Sequence, residues 1–187
     1  MMEPDTPRYR AGRLLVATPQ LGDANFFRAV VLMLEHSDEG ALGVILNRPT
    51  ELEVHEVLPD DLTSALPLEG VVYKGGPVSP EAVIMLGEFS DSDGIQIAFG
   101  AVGVIDPDAD FDNLARSLLS VRVFGGYAGW GAGQLESELE QDAWIDATPA
   151  TSDVFADTAE DLWSAVLERK GGQYALLARM PDDPSMN

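Results

Sequence analysis

Short apolar runs, broken by turn residues, set the pattern of this chain. Arg13 to Ala17 is apolar after its first residue and meets Pro19, which reads as a strand. Ala29 to Glu35 and Ala41 to Asn47 are two more such runs. His36-Ser37-Asp38-Glu39-Gly40 lies between them, a spacing that predicts a hairpin with a five-residue loop. Asn47-Arg48-Pro49 ends the second strand. Thr50 and Glu53 then form a capping-box pattern ahead of Leu52, Val54, Val57 and Leu58, with Pro59 as the stop. Val71 to Lys74 reads as a strand ended by Gly75-Gly76-Pro77, and Ala82 to Glu88 as another.

The second half mixes both periodicities. Ile95 to Phe99 alternates with period two, and Val102 to Ile105 follows Gly100-Ala101 as the return arm of a tight hairpin. Phe111, Leu114, Ala115, Leu118 and Leu119 share one helical face. Val121 to Phe124 is a strand feeding a glycine-rich loop. Leu135 and Leu139 stand one turn apart on a short helix, and Trp144-Ile145 suits an edge strand. Asp157 to Lys170 is the best-formed helix, with Leu162, Trp163, Val166 and Leu167 inward, Arg169-Lys170 in its last turn and Gly171 after it. Gln173 to Arg179 reads as a closing strand. Strands joined as hairpins, with helices interspersed, predict an α+β fold with a mixed sheet and packed helices. No internal repeat or interior linker is visible. The expected organisation is one domain over residues 12–180, with tails at 1–11 and 181–187.

Composition narrows the function classes. The 187 residues carry 11 Lys and Arg against 32 Asp and Glu, a net charge of −21. Nucleic-acid binders cluster cations to neutralise phosphates, and here the cations are scattered, so direct DNA or RNA binding is disfavoured. The absence of cysteine excludes disulfides, thiolate metal sites and cysteine nucleophiles. The apolar runs are far shorter than the ~20 residues of a membrane span. The first residues lack a basic start and an apolar core, so the chain reads as cytoplasmic.

Five segments together resemble the YqgE/AlgH family, a bacterial family without an assigned biochemical activity. They are Gly12-Arg-Leu-Leu-Val-Ala-Thr-Pro19, Phe26 to His36, Gly40-Ala-Leu-Gly-Val-Ile-Leu-Asn-Arg-Pro49, Gly75-Gly-Pro-Val78 and Gly126-Tyr-Ala-Gly-Trp-Gly-Ala-Gly-Gln-Leu-Glu136, with Trp144 beyond. The resemblance spans nearly the whole chain. It implies an α+β fold with a branched sheet, and it brings the label of transcriptional regulator that members often carry. One departure stands out: after the Gly-Gly-Pro strand the family often has Leu-His, and this chain has Leu86-Gly87.

Candidate chemistry concentrates in the irregular segments. Gly125 to Gly133 holds five glycines in nine residues around Tyr127 and Trp130, then runs into an acidic helix. It lacks the Lys-Ser/Thr of a P-loop and the third glycine of a dinucleotide fingerprint, and Glu136, Glu138 and Glu140 repel an anion. A loop carrying packed aromatics is the other reading. Arg48 either enters a cleft to bind a carboxylate or pairs with a surface acid. His36 is either a general base or an ordinary hydrogen-bonding residue, and His55 reads as exposed. The run Asp106, Asp108, Asp110, Asp112 begins like a calcium loop but lacks its glycine and closing Glu, leaving acids ahead of a helix. No metal site or cofactor is expected, and no catalytic residue is assigned.

Three functions follow. The first is a non-catalytic binding or regulatory protein with a ligand cleft of His36, Asn47, Arg48, Pro49, Gly75, Gly76, Pro77, Tyr127, Trp130, Gln134 and Glu136. Its partner is a protein or small molecule, with no nucleic acid and no membrane. The second is an enzyme using His36 as general base, with Glu35, Asp23 or Tyr127 as its partner and Arg48 in the same cleft. The third is an acidic protein-contact surface, with purely structural glycine segments.

Overall fold

A computed structural model describes residues 9–157 and 159–181. The strands are β1 (Leu14–Ala17), β2 (Val30–Ser37), β3 (Gly40–Ile45), β4 (Pro49–Glu53), β5 (Val71–Lys74), β6 (Val78–Phe89), β7 (Gln96–Phe99), β8 (Val102–Val104), β9 (Leu118–Gly131) and β10 (Trp144–Ala147). The helices are α1 (Val54–Val57), α2 (Asp60–Ala65), α3 (Phe111–Leu114), α4 (Gln134–Glu140), α5 (Thr151–Phe155), α6 (Leu162–Lys170) and α7 (Gln173–Leu177). The sheet runs β10-β1-β2-β3-β9-β6-β8-β7, and β5, itself paired with β4, branches from β9. The fold is α+β, with every pairing antiparallel except β5 on β9.

β9 organises the whole. Residues 118–127 pair with β6, Phe124 and Gly125 with β5, and Ala128 to Gly131 with β3. The glycine-rich segment, expected as a loop, is thus the second half of the longest strand. Its glycines make room for a crossing backbone. A Cβ on Gly76 would stand 2.1 Å from the carbonyl carbon of Tyr127, and Gly126 holds φ at +71°. Gly75-Gly76 therefore lies flat on β9 with Gly75 N donating to Gly125 O at 2.9 Å. Two glycine clusters that are 50 residues apart in sequence serve one backbone contact.

Alternation along the strands builds two apolar layers. Leu14, Val16, Val30, Leu32, Val44 and Phe124 face α6, whose Trp163, Val166 and Leu167 are buried against them. Leu15, Val31, Met33, Ile45, Ala128 and Trp130 face α4 through Leu135. A third layer, with Val72, Met85, Val123 and Phe89, packs Val54, Leu66 and Leu114 of the short helices. The sheet curls until β7 approaches Gly12, two residues before β1. A Cβ on Gly12 would lie 2.5 Å from Ala98 O.

Several local expectations give way to tertiary contacts. The β2–β3 hairpin extends to Ser37 and Gly40, so His36 lies in a strand and not in a five-residue loop. Residues 49–53 form β4, where Thr50 Oγ1 donates to Val72 O at 2.7 Å; the helix start moves to Glu53, whose N–H donates to Glu56 Oε2 at 2.9 Å. The face at 111–119 splits: α3 is a single turn capped by Asp110, and Leu118 and Leu119 begin β9. Helix α6 begins at Leu162, after a 3-10 turn over Ala159–Asp161. Gln173 to Leu177 is helical and packs on α6, where a strand was expected. Gly171 and Gly172, with φ of +78° and +58°, reverse the chain between the two helices. Tyr9 and Arg10, read as tail, lie against the β2–β3 hairpin; residues 1–8 and 182–187 are outside the described residues. Among the described residues no helix is long and apolar enough to cross a membrane.

Candidate functional site

The residues nominated from the sequence form separate groups, each with its own task in the fold. Asn47 is buried at the end of β3. Its Oδ1 accepts from Val30 N at 2.9 Å and its Nδ2 donates to Arg28 O at 2.8 Å, so the amide completes a ladder where the strands part. Arg48 binds the same turn, donating to Phe27 O and, at 3.3 Å, to Asn47 O. Burial depresses its basicity below that of a free guanidinium. Pro49 is exposed and pairs with Tyr73 across β4 and β5. Gly75, Gly76 and Pro77 cross β9 beside Tyr127, which packs half-buried on the α6-side core.

His36 sits in line with Ala41 and Trp130 across β2, β3 and β9, on the face covered by α4. Its side chain is 1% exposed. Nδ1 accepts from Arg10 N at 3.0 Å, which assigns the ring proton to Nε2, and Nε2–H donates to Glu136 Oε1 at 3.0 Å. The expected partners Glu35, Asp23 and Tyr127 are replaced by Glu136. Glu35 is exposed beyond a β-bulge between Met33 and Glu35, and Asp23 caps Asn25 N. With its one lone pair engaged by Arg10, the imidazole ties the chain start to α4. Arg48 and Tyr127 make their bonds and packing elsewhere.

Trp130 and Gln134 converge on Glu138, which the sequence presents only as one of three acids that repel an anion. Glu138 Oε2 accepts from both Trp130 Nε1 at 2.9 Å and Trp144 Nε1 at 2.7 Å, and Oε1 accepts from Gln134 Nε2 at 3.0 Å. The two indoles meet edge-on at 5.9 Å, with Phe26 stacked on Trp130 and edge-on to Trp144. The signal for this cluster was Glu138 at i+4 from Gln134 on the short helix. The aspartates at 106–112 act as turn and cap acceptors, Asp106 Oδ1 for Asp108 N and Asp110 Oδ1 for Asn113 N. Among the described residues no three His, Asp or Glu side chains cluster as metal ligands.

A large concavity lies at the sheet edge. A groove of about 790 Å³ runs along β10, lined by Arg13, Thr18, Gln20, Trp144, Asp146, Lys170, Tyr174, Leu177 and Met180 among others. A neighbouring cavity of about 410 Å³ shares Arg13 and Lys170 and extends to Thr148 and Arg169. None of the sequence-nominated residues lines either cavity. The α7 wall went unseen because residues 173–179 read as a strand, and the edge position of Trp144-Ile145 was the available clue.

Electrostatics separate this groove from the rest of the chain. Arg13 and Lys170 line it together with Asp142 and Asp146, and Arg169 lines the neighbouring cavity. Arg13 Nε donates to Asp146 Oδ1 at 2.8 Å and Arg10 Nε lies 2.7 Å from Oδ2, so two guanidiniums share one carboxylate. Arg169 is chelated by buried Asp153 at 2.9 and 2.7 Å; these hydrogen bonds raise its pKa despite partial burial. Lys170 Nζ stands 5.0 Å over the Tyr174 ring, and among the described residues it pairs with no acid. With Arg13 held by Asp146, Lys170 is the cation of this groove left for an anionic group.

Comparison with known proteins agrees with this fold. The chain is 46% identical over 185 residues to a UPF0301 protein of Streptomyces avermitilis, covering 94% of both chains. It is 40% identical over 192 residues to a UPF0301 protein of Mycobacteroides abscessus, covering 100% of this chain and 92% of that one. A crystal structure of a Corynebacterium diphtheriae protein superposes with a TM-score of 0.82 at 28% identity, covering 96% and 95% of the two chains. The solution structure of the AlgH protein from Pseudomonas aeruginosa gives 0.70 at 28% identity, over 96% and 98%. The DUF179 model, described as AlgH-like, matches residues 14–175, and with the shared topology and these relatives it places the chain in the YqgE/AlgH family.

Proposed function

We propose that this protein is a non-catalytic binding protein with a regulatory role, and that its ligand occupies the groove along β10. The observation that carries the reading is Lys170, which pairs with no acid among the described residues, on the wall of a ≈790 Å³ cavity. A volume of that size holds a small metabolite or a short stretch of chain, and the cation selects an anionic group in it. A net charge of −21 opposes contact with nucleic acid, so any effect on transcription runs through the ligand or a protein. In this reading His36, Asn47, Arg48, Pro49, Gly75, Gly76, Pro77, Tyr127, Trp130, Gln134 and Glu136 hold the sheet in shape and do not contact ligand.

The test is a thermal-shift screen against a library of anionic metabolites, repeated on Lys170→Glu and Arg48→Ala. A ligand at 100 times its Kd adds about 2.7 kcal/mol, which for a chain of this size is a rise of roughly 5–10 °C. The shift is expected to vanish in Lys170→Glu and persist in Arg48→Ala. The opposite pattern would move the site to the Arg48 end of the molecule and overturn the groove.

A further inference from the structure

We infer that the groove accepts an extended protein segment that adds as a strand to the free edge of β10, with one acidic side chain meeting Lys170. This rests on the groove being the binding site and names its occupant.

The backbone supplies the first argument. β1 uses alternate residues for its two neighbours. Ala17 N donates to Ala29 O on the β2 side, and Thr18 N donates to Ala143 O on the β10 side. The register Leu14↔Ala147 and Val16↔Ile145 continues that alternation, so Ile145 and Ala147 carry the ladder to β1. The N–H and C=O groups of Trp144 and Asp146 consequently point outward, and among the described residues no hydrogen bond reaches them. They open onto the groove, which both residues line.

The walls supply the second. Tyr174, Leu177 and Met180 form an apolar flank on the α7 side, with Met180 42% exposed. Lys170 stands beside that flank, and Arg13 with Asp146, together with Asp142, completes the lining. The two cavities run from Thr18 and Gln20 to Thr148 and Arg169, along the whole of β10. Four strand residues span about 13 Å, enough for two pairs of outward backbone bonds.

Charge sets the composition of the segment. One carboxylate suits Lys170, while Asp142 and Asp146 in the same lining and the net charge of −21 turn away strongly acidic chains. The occupant is therefore a segment of alternating apolar residues with a single Asp or Glu, recognised by main-chain bonds and alternate side-chain contacts.

The experiment selects ten-residue peptides from a random phage-displayed library on the intact protein. The strongest peptide is then measured by fluorescence anisotropy and by residue-resolved amide hydrogen exchange. The Trp144 and Asp146 amides are expected to exchange at least ten times more slowly in the complex. N-methylation of alternate peptide amides and Lys170→Glu should each weaken binding at least tenfold, and Lys74→Glu should leave it unchanged. Enriched peptides that bind without slowing those two amides, or no enrichment at all, overturn strand addition. The groove itself is judged separately: if the metabolite screen still gives a Lys170-dependent shift, it remains the site of a small ligand. If neither peptide nor metabolite responds to Lys170→Glu, both the occupant and the groove fall.

Discussion

Replacing Glu138 tests whether one carboxylate holds the α4 side of the molecule together. Trp130 and Trp144 are 6% and 4% exposed, and both direct their indole N–H to Glu138 Oε2. Glu138→Ala leaves two buried donors without an acceptor. Each costs about 1–3 kcal/mol when no water replaces the lost partner. Glu138 is itself half-buried, so water reaches part of the vacated space and the expected total is about 2–4 kcal/mol. For a chain of this length about 3 kcal/mol lowers Tm by roughly 6–12 °C. Glu138→Gln keeps the volume and one acceptor oxygen and trades a charged acceptor for a neutral one, for about 1 kcal/mol. Urea unfolding gives the energies, and the indole N–H signals in proton–nitrogen spectra give the mechanism. Of the three tryptophan signals, two should move and exchange faster, while that of Trp163, bonded to Ala17 O at 2.9 Å, stays in place. A loss below about 0.5 kcal/mol for Glu138→Ala, the size of an ordinary surface substitution, with all three signals unmoved would refute the hub.

Three further substitutions test contacts elsewhere in the fold. Gly76→Ala puts a methyl 2.1 Å from the Tyr127 carbonyl carbon, backbone against backbone, and should cost upwards of about 3 kcal/mol or prevent soluble expression. Gly131→Ala, with nothing within 4 Å of the new carbon, should stay within about 0.5 kcal/mol of the parent, and equal costs would show that the glycines act by flexibility and not by space. Asn47→Ala strips the partners of Val30 N and Arg28 O and should lower urea stability by about 2–3 kcal/mol; a smaller change, with amide exchange at Val30 unaltered, would count against its role as a ladder residue.

Sequence alone determined the elements whose signals are local. Leu14 to Ala17, the two arms around His36 to Gly40, the Gly100-Ala101 hairpin and the amphipathic stretch ending at Arg169-Lys170 are legible because period, turn chemistry and caps lie within a few residues of each other. The family is equally legible, since its motifs are contiguous. What only the tertiary structure decided are the contacts between distant segments. Gly75-Gly76 and Gly126-Tyr127 read as two loops until their backbones are seen to cross, because an absent Cβ does not say which chain needs the space. Leu118 and Leu119 fit a helical face and are drawn into β9 by the ladder to β6. Gln173 to Leu177 pairs with no strand among the described residues and takes the helix that packs on α6. His36 had a chemistry in the sequence and acquired a position: Arg10 and Glu136 claim its two nitrogens, 26 and 100 residues away. The groove arises the same way, since Arg13, Asp146 and Lys170 meet only because β1 and β10 are neighbours and α6 ends beside them. Periodicity reports burial along one segment, and a site is made of segments that meet.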